Sequence, residues 1–223
     1  MMNMKIDMHT HVAPREAVKI AEKGGYWHGI NFSRDKNEKL TTSHGDETMS
    51  LPWPVRMETP EERLKSMDDR KIDMHILSLS PLMHWHKLDR ENSISYSKDV
   101  NDDISDYTEI NKSRFKSFCF LPLQDTDASI YELERCVVSK GMVGAMVATN
   151  VNGMEISDKS LEKFWAKVEE YEFGVMLHPL GYAEGSFKKF LASHVGPEGC
   201  CVYSHQFYNS NKSNKFKKGR RNY

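Results

Sequence analysis

From residue 72 onward, two kinds of apolar pattern take turns along the chain. Short, nearly continuous apolar runs occupy 72–79, 115–121, 143–148 and 173–178. They are rich in large and β-branched residues, and three of them stop at Ser80-Pro81, Pro122 and Pro179. Runs of that length and composition predict buried strands. Between them, apolar residues recur every three or four positions. Val100, Ile104 and Tyr107 do so within 93–111, and Ile130, Leu133 and Val137 within 127–140. Leu161, Phe164, Trp165 and Val168 do so within 158–170. That period predicts helices with one buried face, the second stopped by Gly141. Upstream, Thr59-Pro60-Glu61-Glu62 is a helix start, with Thr59 as cap, Pro60 in the first turn and Glu62 closing a capping box. Leu64 and Met67 give that helix an apolar face.

The N-terminal stretch Lys5-Ile6-Asp7-Met8-His9-Thr10-His11 alternates with period two and predicts a first strand. Residues 12–59 are polar and broken by Gly24-Gly25, Gly29, Gly45 and the prolines flanking Trp53. They predict a largely irregular excursion with one short helix near 15–23, serving as a solvated insertion or a binding loop.

Strand, excursion and helix, then strict alternation, predict a parallel sheet covered by helices. No glycine-rich phosphate loop follows the first strand, which argues against a nucleotide-binding doubly wound sheet. The expected fold class is α/β: a (β/α)8 barrel of the TIM type, incomplete, with about five β/α units. A full barrel takes about 250 residues, and only five strands are visible by His178. The expected organisation is a partial barrel over 1–182 and a divergent, largely disordered basic tail over 183–223. Within that tail, 186–193 reads as a short helix and 199–207 as a brief strand.

Composition narrows the function. The 223 residues suffice for one sizeable core. A net charge of −1 points to neither nucleic acid nor an anionic membrane. Four cysteines without a Cys-x-x-Cys pair indicate no zinc knuckle, redox motif or disulfide scaffold. No apolar run reaches the length of a membrane span or a leader segment, so the expected compartment is the cytoplasm.

The candidate chemistry is histidine. His9 and His11 lie two apart on a strand, so their side chains share a side, with Cα atoms about 6–7 Å apart. Neutral imidazoles so spaced can hold one divalent cation. With ten histidines, one such pair can arise by chance, and His84 and His86 form a second. His178 ends the fifth strand as His9 and His11 end the first. A lone histidine there ordinarily caps a strand, but barrel strands gather their C-termini on one face, where sites are built. His9, His11 and His178 are therefore the expected metal ligands. Arg56, in the polar excursion, is the expected anchor for a substrate carboxylate.

Together these landmarks resemble the amidohydrolase superfamily, and most closely its aminocarboxymuconate-semialdehyde decarboxylase family. The pieces are Ile6-Asp7-Met8-His9-Thr10-His11, Arg63-Leu64 through Met67-Asp68, Ile72-Asp73, Leu77-Ser78, Asn101-Asp102 and Arg114-Phe115. They continue with Leu121-Pro122-Leu123-Gln124, Glu132-Leu133-Glu134-Arg135, Gly141-Met142-Val143-Gly144-Ala145, Asn150-Val151-Asn152-Gly153 and Leu177-His178-Pro179. The resemblance implies a metal, zinc or another divalent ion, held by His9, His11 and His178 with a later aspartate. It implies loss of CO₂ from an unsaturated or aromatic carboxylate, as in the kynurenine pathway, with a small-molecule carboxylate as partner and a homo-oligomeric assembly. It also implies a sixth-strand histidine in a His-Gly-Gly context and the aspartate in a Gly-Thr-Asp context. Neither motif occurs, and His205 lacks the glycines. The expected function is therefore a metal-dependent decarboxylase impaired by the missing last third. A metal-dependent hydrolase on the same scaffold and an inactive fragment are the alternatives.

Overall fold

The computed structural model describes residues 4–54 and 59–178. Arg56, His205, the residues at 183–223 and the helix and strand expected there lie outside the described residues.

Strand β1 (Ile6–Val12) leads into α1 (Arg15–Lys23), the short helix expected near 15–23. The segment expected to be irregular is instead a four-stranded antiparallel sheet. It comprises β2 (Gly25–Trp27), β3 (Ile30–Arg34), β4 (Lys39–His44) and β5 (Glu47–Pro54), in that order. Of the glycines read as breakers, Gly29 and Gly45 sit in its turns, Gly24 ends α1 and Gly25 opens β2. His28 and Gly29 both take positive φ (50° and 77°) between β2 and β3, and Gly45 (φ 56°) does so between β4 and β5. Positive φ suits two-residue hairpin connections. Ile30, Phe32 and Leu40 face inward against Ala17 and Ala21 of α1. On β4 the second inward position is the fully buried Thr42, so the sequence shows no apolar alternation there.

Helix α2 (Pro60–Arg70) starts at the predicted capping box: Thr59 Oγ1 accepts from Glu62 N, and the Glu62 carboxylate accepts from Thr59 N. The remaining elements alternate as expected: β6 (Met74–Leu79), α3 (Arg90–Glu109), β7 (Phe115–Ser117) and α4 (Thr126–Glu134). The helix expected to reach residue 140 changes to a π turn over Arg135–Ser139, and Gly141 follows at φ 67°. Then come β8 (Gly144–Ala148), the hairpin of β9 (Asn150–Val151) and β10 (Met154–Glu155), α5 (Glu162–Glu170) and β11 (Gly174–His178). Asn152 and Gly153 turn that hairpin at φ 53° and 85°.

Strands β1, β6 and β7 pair in parallel, and β8 pairs in parallel with β11. Cys119, just beyond β7, joins the two groups through a parallel bridge to Ala145. The result is five parallel staves in chain order with helices outside, the arc of a (β/α) barrel. Each stave sends one side chain to an inner apolar layer: Met8, Ile76, Phe118, Met146 and Met176. That layer is the floor beneath the staves' C-terminal rim.

Buried polar residues on the helices fix the rim. Asn101 of α3 donates to Phe120 O at 2.8 Å and accepts from Phe120 N at 2.8 Å, which anchors the end of the third stave. Its amide also donates to Glu132 Oε1 of α4 at 2.7 Å, and Glu132 in turn accepts from Arg135 through both oxygens. Asp102, the next residue, meets Lys98 at 3.2 Å, Arg135 at 2.7 Å and Lys140 at 2.8 Å. Partial burial works against its charge, but hydrogen bonds from Lys140, Arg135 and Lys98 outweigh that and hold the carboxyl well below the usual carboxylate range. A carboxyl depressed by folding contributes stability above its unfolded pKa of about 3.9, and loses it as pH falls through that value toward the folded pKa. In urea unfolding between about pH 6 and pH 2, the wild type is expected to lose about 1 kcal/mol more than Asp102→Asn. Parallel pH profiles for the two chains would contradict this.

Candidate metal centre

In an eight-stave circle the first and fifth staves face each other across the axis. Laid flat, staves four spacings apart would sit about 19 Å from one another. Here the sheet curls so far that His9 Nε2 of β1 and His178 Nε2 of β11 are 3.2 Å apart. The His9–His11, His9–His178 and His11–His178 ring centroids are separated by 4.9, 5.3 and 5.2 Å. One ligand nitrogen from each ring lies within 4.8 Å of the other two. Two nitrogens bound tetrahedrally to zinc at 2.0–2.1 Å are about 3.3 Å apart. The three rings therefore fit a single small cation. Among the described residues, no carboxylate joins this group.

The placement of His9 departs from plain strand alternation. The pairing of β1 with β6 shifts register between Asp7 and Thr10, and the Asp7 carboxylate accepts from His9 N at 3.0 Å. A bulge turns consecutive side chains toward one face. Met8 thus joins the apolar floor while His9 reaches His178.

His11 is held more tightly. Its Nδ1 lies 3.0 Å from Ser78 Oγ, and the Ser78 hydroxyl donates to Thr10 O at 3.1 Å. With that hydroxyl proton committed, Ser78 Oγ accepts from His11 Nδ1–H, which leaves the lone pair on Nε2 for the site. Arg63, buried in α2, donates to His11 O at 3.1 Å and to Tyr107 Oη at 3.2 Å. Burial, reinforced by the His178 and His9 rings and the Arg63 guanidinium, pushes His11 down to about 3. The ring stays neutral, the form that ligates metal. Ser78→Ala is expected to weaken divalent-cation affinity by about tenfold, the low end for partners that orient a ligand. Competition with a chromogenic chelator would measure it, and unchanged affinity would contradict it.

The loop after β6 carries two more histidines to this end of the barrel. His84 and His86 are both buried, with ring centroids 5.7 Å apart and perpendicular planes. Both pack on Phe120, at 4.8 and 5.7 Å. Burial first, then the neighbouring His86, His178 and His11, hold His84 well below its usual range. Burial likewise takes His86 down to about 4. Sequence reasoning noted this pair only as a coincidence of spacing. The signal that marks it is position: His-x-His just past the second stave, as His9 and His11 end the first. Ser78 gave no chemical signal, because its partner is 67 residues away. Arg56, the expected carboxylate anchor, lies outside the described residues.

The chain resembles characterised proteins over most of its length. It is 29% identical over 181 residues to the 2-amino-3-carboxymuconate-6-semialdehyde decarboxylase of Dictyostelium discoideum, spanning 79% of this chain and 49% of that protein. It is 34% identical over 132 residues to the gamma-resorcylate decarboxylase of Rhodococcus jostii, spanning 55% of this chain and 40% of that protein. In fold it matches the dihydroxybenzoic acid decarboxylase of Polaromonas, solved with bound manganese and 2-nitroresorcinol. The TM-score is 0.59 at 22% identity, covering 89% of this chain and 57% of that one. The chain thus spans about half the length of the curated relatives it matches. The Amidohydro_2 (amidohydrolase) family matches residues 6–205. The match runs from the strand that carries His9 and His11 past the one that ends at His178, and the chain belongs to this family.

Proposed function

We propose that the chain carries the metal-binding half of a carboxy-lyase site, acting on an unsaturated or aromatic carboxylate in the manner of aminocarboxymuconate-semialdehyde decarboxylase. The observation that carries this reading is the convergence of His9, His11 and His178 from opposite staves onto one small volume. These three residues hold a divalent cation. Zinc suits three imidazoles, and the manganese of the Polaromonas decarboxylase supports a divalent ion more broadly. When bound, such an ion polarises a substrate oxygen as a Lewis acid.

The chain's own residues prepare that step. Ser78 fixes the His11 tautomer, Arg63 fixes its backbone, and the floor of Met8, Ile76, Phe118, Met146 and Met176 seals the space below. An apolar floor lowers the local dielectric, which strengthens every charge interaction above it. It also favours a product with less charge on its carbon skeleton. In the reaction, the bond from carbon to carboxylate breaks, CO₂ leaves, and the electron pair left on carbon takes up a proton. Arg56 anchors a substrate carboxylate. We place the working protein in the cytoplasm as a homo-oligomer, acting in the kynurenine pathway. Among the described residues, no helix is long and apolar enough to cross a membrane.

The test is turnover. The purified chain, supplied with Zn²⁺ or Mn²⁺, is assayed for CO₂ release from 2-amino-3-carboxymuconate 6-semialdehyde and from 2,6-dihydroxybenzoate. Release above that of a His9→Ala, His11→Ala double variant is expected for at least one. Release equal to the variant's for both overturns the reading.

A further inference from the structure

The loop carrying His84 is held in place from two sides. Tyr96 Oη donates to Met83 O at 2.9 Å, and Asn152 Nδ2 donates to His86 O at 2.6 Å. Tyr96 comes from α3, and Asn152 from the turn between β9 and β10. This clamp drives two imidazoles inward, to 3% and 6% exposure. Among the described residues, none of their four ring nitrogens has a hydrogen-bond partner of normal geometry. The nearest polar neighbours are the Leu79 carbonyl for His84 and the Gln124 side chain for His86. An unpaired buried polar group destabilises the fold. Two buried rings without a well-formed hydrogen bond among the described residues, on a loop anchored from both sides, point to a ligand.

The two rings differ in what they face. His84 lies within electrostatic reach of both His11 and His178, and the Leu79 carbonyl sits beside His84 and His11 alike. His86 shows no such coupling and faces Gln124. Of the two rings, His84 therefore lies on the side of the three-histidine cluster, sharing the Leu79 carbonyl with His11.

We propose that His84 is a substrate-binding residue of this site, its imidazole N–H donating a hydrogen bond to an oxygen of the carboxylate substrate held beside His11 and His178. This rests on the carboxy-lyase reading above. A buried neutral donor orients an anionic substrate without adding a competing cation, and it discriminates against analogues that lack the oxygen. An apolar ring would fill the same space without an unpaired N–H, so the histidine adds nothing to folding stability.

The experiment uses whichever of the two carboxylates the metal-loaded chain turns over. His84→Phe is expected to raise KM about 10–100-fold, the loss of a hydrogen bond to a charged group. Its metal content should match the wild type and its melting temperature should be no lower. His84→Gln, which keeps an N–H donor, recovers part of the loss, while His86→Phe leaves KM unchanged. In the wild-type protein, the ¹⁵N resonances of the His84 ring shift on saturation with the carboxylate. That last measurement stands even if His84→Phe does not fold. An unchanged KM in His84→Phe, a loss of metal in parallel with the loss of affinity, or unmoved His84 resonances overturns the assignment while leaving the carboxy-lyase reading intact. Absence of turnover by the wild type overturns both.

Discussion

His178→Ala lowers the affinity for Zn²⁺ or Mn²⁺ by at least about 100-fold, roughly 3 kcal/mol, while the chain keeps its helical and sheet content. Removing this ring takes away one of the three proposed ligands and leaves two on a single stave. Two imidazoles from β1 alone leave the cation mostly hydrated. His178 is only partly buried at the rim of β11, beyond Met176 in the apolar floor, so its truncation opens little of the core. Isothermal titration with the metal alone reads the affinity, and circular dichroism reads the fold. A variant that binds metal within about threefold of wild type, some 0.7 kcal/mol, would mean that His9 and His11 suffice without the opposite stave.

Gly144→Ala has the largest expected effect on stability. Gly144 opens β8 at φ 151°, paired with Gly174 of β11. A Cβ built there would sit 1.9 Å from Gly174 O, a backbone atom of the neighbouring stave. No side-chain adjustment relieves that contact. Either the β8–β11 ladder parts, or both strands shift away from Cys119, whose N–H donates to Gly144 O at 2.9 Å. The expected cost is more than about 4 kcal/mol, the range of severe single-site lesions. Because β11 carries His178, metal affinity falls along with stability. Urea unfolding and metal titration on the same preparation check both. A midpoint near that of wild type would show that the staves tolerate a wider spacing here.

The contrast between these two positions explains what the sequence discloses. The strand runs from 72 onward, the amphipathic helices and the Thr59 capping box were legible because each depends on neighbours within a few residues. His9, His11 and His178 could be grouped because barrel topology brings strand ends together whatever the loops do. The sheet of β2–β5 was not legible. Its inward residues, Ile30, Phe32 and Leu40, are few and lie among threonines, serines and asparagines, and its left-handed turns fall on His28 and Glu38 as well as on glycine. The bulge that turns His9 inward was hidden too, since Ile6 and Met8 alternate with Asp7 and His9 as a regular strand would. Contacts such as Ser78 to His11 and Asn101 to Phe120 join residues far apart in the chain, and only the closed arc shows them.

At the centre of this site is one proposed cation shared by rings from opposite sides of the barrel. Crystals grown with Zn²⁺ or Mn²⁺, with data collected at the absorption edge of that metal, test it directly. A single strong anomalous peak is expected about 2.0–2.3 Å from a ring nitrogen of each of His9, His11 and His178. A peak on His84 and His86 alone, or His178 turned away from the other two rings with metal present, would contradict it.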